Sequence, residues 1–384
     1  MIKSFERYAR IVWTPFFLSI LLVITWVVVE LNGDIFYQNE AEKLFLRLMI
    51  VIGLQIFSGN SGVLSFGQVA FMAVGAYMSA LLTIPLEIKK FTFLSMPEVM
   101  KSWVFPAHLN EWNGTTGTLA GAGFAILFAA VFGIPIVRLI GVAAGIGTIA
   151  ILVAMNVFIQ QTSSITRGTS TQIGVPQTTT LGSTVIWLVI AIVIAYAFRQ
   201  SRLGLRLRAS RENERAAKSV GVNIAKERYL AFVLSGFICG LGGALYAHYF
   251  ISFSYLDFYF DLTFITIAML VVGGMGSVSG GVIGAYFLTF IYVAFQRLEV
   301  NGLFDGKAPS GTADLVLALA LLLTLIYRPK GITGGKEIPF PTDWSFRWVG
   351  RLLRGEIRPK AHSLSEGLKV LGLDKLSSKD KGQG

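Results

Sequence analysis

Long uncharged apolar runs recur through this chain, and they constrain its fold more than any other feature. IVWTPFFLSILLVITWVVV (11–29) and LGSTVIWLVIAIVIAYAF (181–198) are two of them. A bilayer core of about 30 Å is crossed by roughly 20 apolar residues in a helix. In lipid, backbone amides must be satisfied within the segment, so an apolar run of this length reads as a helix. Ten such runs fall near 11–31, 44–58, 62–84, 116–138, 139–161, 181–198, 229–250, 262–275, 280–297 and 311–327. The expected fold is therefore all-α: a polytopic integral membrane protein with about ten transmembrane helices. Runs two and eight are short, so eight spans with re-entrant segments is the alternative. The apolar run at the N-terminus is about twice a signal-peptide h-region and no A-x-A site follows it, so it reads as a retained span.

Charge follows the same plan. Only 14% of residues are charged, yet the net charge is +11, and basic loops mark the cytoplasmic face of membrane proteins. Lys3, Arg7 and Arg10 place the N-terminus inside. Counting spans places 199–228, with nine Lys and Arg residues, inside as well. The loop 251–261, with Asp257 and Asp261 and no base, falls outside. From Arg328 onward twelve bases face six acids, again on the inner side. The basic excess thus reports topology and does not call for nucleic acid. Residues 1–335 read as the transmembrane domain and 336–384 as a cytoplasmic tail, with an amphipathic stretch WSFRWVGRLLR ahead of a disordered end. The long segment 85–115 is expected on the outer side.

The pattern excludes several chemistries. One cysteine, Cys239, permits no disulfide framework, and three scattered histidines, His108, His248 and His362, make no metal cluster. No metal and no cofactor is expected in this chain. Span interiors carry almost no ionisable residue; Glu30, Arg47 and Asp314 fall near expected ends. That argues against enzymatic catalysis and against a proton-coupled carrier. No P-loop occurs; GITGGKE lacks both its spacing and its Ser/Thr.

Three stretches break the apolar background. Gly236 and Gly240, and Gly276, Gly280 and Gly284, recur every four residues, a spacing that lets helix backbones approach closely. GGMGSVSGG (273–281) is too glycine-dense for a helix interior and marks a break. In SGNSGVLSFGQVAFMAVGAY (58–77), Asn60, Ser61, Ser65 and Gln68 lie where a span should be apolar; they either bond to neighbouring helices or line a solute path. The third is the charged island LRLRASRENERAAKSVGVN (205–223). Ser210 suits an N-cap, Glu212 and Glu214 a first turn, Lys218 a last turn and Gly221 a C′ position. Ala216, Ala217 and Val220 would form one small apolar face. The island reads as a three-turn surface helix that is either solvated or a docking element.

RENERAAKSVGVNIAKERYLAFVLSGFICGLGGALYA (211–247) and LVVGGMGSVSGGVIGA (270–285) resemble the LivM-type permeases of branched-chain amino acid ABC importers. NSGVLSFGQVAFMAVGAY (60–77), TRGTSTQIGVP (166–176) and RPKGITG (328–334) agree with it. The resemblance implies a permease subunit of the bacterial inner membrane that imports amino acids, branched-chain or otherwise neutral. Urea or a short-chain amide is the alternative solute, and a gradient-driven carrier the rival class. It implies a LivH-like second permease, two cytoplasmic ATPase subunits that bind the ATP, and an extracytoplasmic solute-binding protein. Arg211, Glu212, Asn213, Glu214, Ala216, Ala217 and Gly221 would form the helix that couples to the ATPase. Asn60, Ser65, Gln68 and Thr169 would line the solute path.

Overall fold

Hydrophobic runs become helices here wherever a cap or a glycine can end them. The computed structural model describes residues 2–93, 96–97, 113–139, 141–301 and 311–338. Residues Thr14–Glu337 form one compact unit. Of a second unit, Met1–Trp13 with Ile338–Gly384, only 2–13, which are helical, and Ile338 are described. The amphipathic stretch expected at 344–354 and most of 94–112 lie outside the described residues.

Helix α1 (Ile2–Asn32) ends at Gly33, φ +65°, and Asp34 caps α2 (Ile35–Leu54) by accepting from the Phe36 amide at 3.0 Å. A π-helical turn, Gln55–Gly59, continues α2, and the chain leaves helical geometry over 62–67 before α3 (Gln68–Thr83). Beyond α3 the short α4 (Leu86–Thr92) is bent away by 113°. Then come α5 (Asn113–Ile136), α6 (Val142–Gln161) and α7 (Leu181–Gln200). Two charged helices follow, α8 (Arg202–Glu212) and α9 (Glu214–Ser219). The chain re-enters the bundle with α10 (Ile224–Phe250), α11 (Phe260–Gly273), α12 (Val278–Asn301) and α13 (Thr312–Tyr327).

Seven described segments are long and apolar enough to cross a membrane, and an eighth is added if the bent pair α3–α4 is one span. The remaining two of the ten expected runs are α2, which carries several charges, and α13, only 16 residues long. Two boundaries differ from expectation. The second run was expected to start near 44, but helix begins at Ile35, so Glu40, Glu42, Lys43 and Arg47 all lie within α2. The helix tolerates them because several are paired: Lys43 bridges Glu40 at 2.6 Å, and the Thr184 hydroxyl donates to the buried Glu42 carboxylate. The charged residues thus extend the expected second run at its N-terminal end. The third run was expected from 62, yet helix resumes only at Gln68. Gly62 sits at φ +74°, and the hydroxyls of Ser61, Ser58 and Thr148 capture the amides of Val63, Ser65 and Phe66.

The core is a seam of small residues where α3, α5 and α10 meet. A Cβ on Gly75 would run into the Gly240 carbonyl, one on Gly243 into the Met72 carbonyl, and one on Gly236 or Gly240 into Ala129 or Ala125. Gly284 lies equally close to the Met269 carbonyl, and Gly276 packs less tightly against Gly335. Helix axes with no side chains between them maximise dispersion contact, which replaces hydrophobic driving force in lipid. Helices of this bundle alternate in direction. One end collects the basic residues of 199–228. The other is tied by Gln172, which pairs with Phe253, and by Arg297, which bridges Asp34 at 2.9 Å.

Candidate functional site at the basic end

Ser201 breaks α7 from α8: extended at ψ 162°, it caps α8 by accepting from the Gly204 amide at 3.2 Å. The charged island is therefore not one helix capped at Ser210. Ser210 is buried inside α8, its hydroxyl donating to the Leu207 carbonyl. Asn213, in extended conformation, caps the second helix by accepting from Ala216 N at 3.0 Å. Both residue types cap well; the position was decided by what holds α8. Arg208 donates to the Arg199 carbonyl at 3.1 Å, and Arg211 donates to the Gly59 carbonyl at 2.8 Å. Those bonds keep α8 helical through Glu212 and put the break at Asn213.

In α9, Glu214 meets Lys218 at 3.0 Å and Arg228 at 3.4 Å. The hydrogen bond from Lys218, with Arg228 adding to it, holds the Glu214 carboxyl below its ordinary value. Gly221 ends the segment at φ +83°, as its expected C′ role requires. Ala217 faces inward, whereas Ala216 is exposed and Val220 is 80% exposed. The small apolar face is thus split: Ala217 anchors α9, and Ala216 and Val220 face away from the bundle. Glu212 and Asn213 are also exposed.

Arg211 links this surface to the broken helix. Its guanidinium reaches the π-turn at Gly59, and its stem lies against Gly62. The break holds buried polar side chains: Gln55, Asn60, Ser65 and Gln68 are each no more than 1% exposed. Asn60 Nδ2 donates to the Ile56 carbonyl at 2.9 Å. Its Oδ1, the Ser65 hydroxyl and both amide atoms of Gln55 and of Gln68 have no hydrogen-bond partner among the described residues. Buried unpaired polar atoms are expensive, on the order of 1–3 kcal/mol each. They concentrate where a structure handles polar groups for a purpose. Asn60, Ser65 and Gln68 are thus brought to one break. Thr169 is not with them: it is exposed in the segment that pairs with Phe253, whereas the break packs beside Phe232, about 30 Å away along α10.

A second set of residues at this end escaped the sequence reading. Residues 331–337 return from α13 to fill the break between α11 and α12: Ile332 and Thr333 amides donate to Val272 and Gly273 carbonyls. The Glu337 carboxylate accepts from Val278 N at 2.9 Å and Ser279 N at 3.0 Å, capping α12, and pairs with Arg199 at the end of α7. Glu337 therefore packs into the unit Thr14–Glu337.

A family model described as the branched-chain amino acid transport system permease component matches residues 38–326. This chain belongs to that family. Among its relatives is a probable LivH permease of Methanocaldococcus jannaschii, 25% identical over 79% of this chain and 91% of that protein. A LivM permease of Salmonella typhimurium is 23% identical over 82% of this chain and 74% of its own length. A nucleoside ABC transporter permease, NupC of Lactococcus lactis, is 30% identical over a shorter stretch, 37% of this chain and 46% of that protein. No solved structure matches significantly. The chain is a multi-pass inner-membrane permease, and its family likeness extends to LivH-type and LivM-type members at similar identity.

Proposed function

We propose that this chain is one permease of an ABC importer that moves amino acids, branched-chain or otherwise neutral, into the cell. Its partners would be a second permease of LivH type, two ATPase subunits that bind the ATP, and an extracytoplasmic solute-binding protein. The observation that carries the reading is the Arg211–Gly59 hydrogen bond. It ties a charged surface segment to a broken, polar-lined helix inside the bundle. ATPase closure would bear on the exposed Glu212, Asn213, Ala216 and Val220. Arg211 would pass that movement to the break as rigid-body displacement. The basic loops favour a cytoplasmic position for this end, where the ATPases would dock.

The test is uptake of labelled leucine, glutamate and urea by cells lacking and regaining this chain. It is repeated with ATP depleted and, separately, with ion gradients collapsed. Loss of leucine uptake only on ATP depletion supports the reading; uptake that follows the gradient refutes it. Glu212→Lys with Glu214→Lys, and separately Val220→Asp, should insert normally yet fail to retain the ATPases on purification. Retention with normal uptake refutes the docking role.

A further inference from the structure

At the end of the bundle opposite the coupling segment, a cavity of about 730 Å³ opens between α2, α10, α11, α12 and α13. It combines one unpaired cation with unpaired anions and an apolar wall. Arg47 is the thirteenth of the twenty residues of α2, well inside the helix. It is half-buried, and its Nη1 is buried with no hydrogen-bond partner. Lys43, the other cation in the lining, is already paired with Glu40. Across the cavity stand Asp257, Asp261 and Asp314. Asp257 is engaged in capping its own turn through Ser254. Asp261 and Asp314 are exposed at the mouth and form no hydrogen bond or ion pair among the described residues. Opposite charges share the same neighbours. Tyr246 is in electrostatic reach of both Arg47 and Asp257, and Tyr292 of both Arg47 and Asp314. Leu46, Ile265, Leu317 and Leu321 are among the apolar residues of the lining.

An arginine within a membrane helix is costly and is kept where it pairs or binds. Here its nearest opposite charge, Glu40 on the same helix, is already bridged to Lys43, while carboxylates stand across an open cavity. A free α-amino acid carries a carboxylate and an ammonium group a few bonds apart, with its side chain projecting from the same carbon. Arginine matches the first by bidentate hydrogen bonding, aspartates match the second, and the leucine and isoleucine wall suits an apolar side chain. Urea offers neither charge, and a dicarboxylate would meet the aspartates.

We propose that this cavity is a loading site for a zwitterionic amino acid with an apolar side chain: Arg47 binds the carboxylate, and Asp261 and Asp314 the ammonium. The assignment rests on the amino-acid reading above and adds where this chain first holds the solute.

Ala318 lines the cavity and is exposed, and the native Cys239 is fully buried. Ala318→Cys therefore adds an accessible thiol without removal of Cys239. In the full complex reconstituted in nanodiscs, reaction of that thiol with a charged maleimide is timed. The protectants are leucine, leucinamide, 4-methylpentanoate and phosphoethanolamine. Protection by leucine alone, abolished by Arg47→Gln or by Asp261→Asn with Asp314→Asn and kept by Arg47→Lys, is the expected result. Equal protection by the singly charged analogues overturns the proposal. So does protection by phosphoethanolamine without leucine, which would mark a lipid-headgroup site, and so does an unreactive thiol. In uptake, Arg47→Gln should lower the maximal leucine rate about tenfold or more, the scale of one charged hydrogen bond. Wild-type complex without ATP-dependent amino-acid uptake would remove the functional reading itself. Normal uptake by Arg47→Gln would remove only the site.

Discussion

Gly75→Ala and Gly123→Ala add the same methyl group to two helices of one seam and should shift stability in opposite directions. Alanine is favoured over glycine in a helix interior by about 0.8–1 kcal/mol, so propensity alone stabilises both variants. At Gly123 nothing lies within 4 Å of the added carbon, and the gain stands. At Gly75 the added carbon meets the Gly240 carbonyl, well inside contact distance. The obstacle is backbone, so no side chain can rotate away. Carbon and oxygen settle no closer than about 3.3 Å, so α3 and α10 must part by roughly 1 Å. A gap of 0.5–1 Å already forfeits a quarter to a half of the dispersion well for each facing atom pair. Overpacking of this kind costs about 1–3 kcal/mol, more than propensity returns, so Gly75→Ala should lose on the order of 1–2 kcal/mol. Thermal unfolding of the purified protein in one detergent should rank Gly75→Ala below wild type and Gly123→Ala at or above it. A Gly75→Ala midpoint equal to wild type would mean that α3 and α10 do not meet backbone to backbone, and the seam argument would fail.

Two further predictions concern the basic end. Glu337→Gln leaves Arg199 buried without its counter-charge, a change worth about 3–5 kcal/mol when a buried pair is broken. The Gln oxygen can still accept from Val278 N or Ser279 N, so the loss should fall near the lower limit. Unfolding should register it, and Arg199→Met with Glu337→Met should recover part; a silent single variant refutes the pair's importance. Glu214 is held below its ordinary value of 4.5 by Lys218 and Arg228. A depressed carboxyl adds order above its unfolded value and loses it as pH falls through the lowered folded one. Hydrogen exchange of the α9 amides should therefore be flat, after correction for intrinsic rates, down to the ordinary value and rise only beneath it. Glu214→Gln should lack that acid limb, and an identical limb in both proteins would refute the assignment.

What the sequence made legible was mostly local. Apolar runs announced their helices, Gly221 its positive φ, and GGMGSVSGG the break before α12. The errors came from local signals that tertiary contacts overruled. Glu40, Glu42 and Lys43 look like loop residues on hydropathy alone, although Gly33 and Asp34 already spelled out a turn and a cap before them. Ser210 and Asn213 are equally good caps; Arg208 and Arg211, bonded to Arg199 and Gly59, chose between them. No spacing rule links residue 47 to 257 and 314, or residue 199 to 337. The cavity and the Glu337 junction were therefore invisible until the chain was folded. Arg211 was singled out only by family resemblance, and nothing local pointed its guanidinium at a carbonyl some 150 residues earlier.

The stitching of 331–337 into the α11–α12 break also sets an order of events during synthesis. Every other helix that meets at that end is translated before Glu337. Until it arrives, Arg199 has no counter-charge and the first amides of α12 lack their acceptor. The face that bears the charged segment is thus completed last, by one of the final residues of the bundle to be translated. A nascent or truncated chain can have its helices in the membrane and still lack this finished end, so membrane insertion and completion of the basic face are separate steps in this chain's maturation.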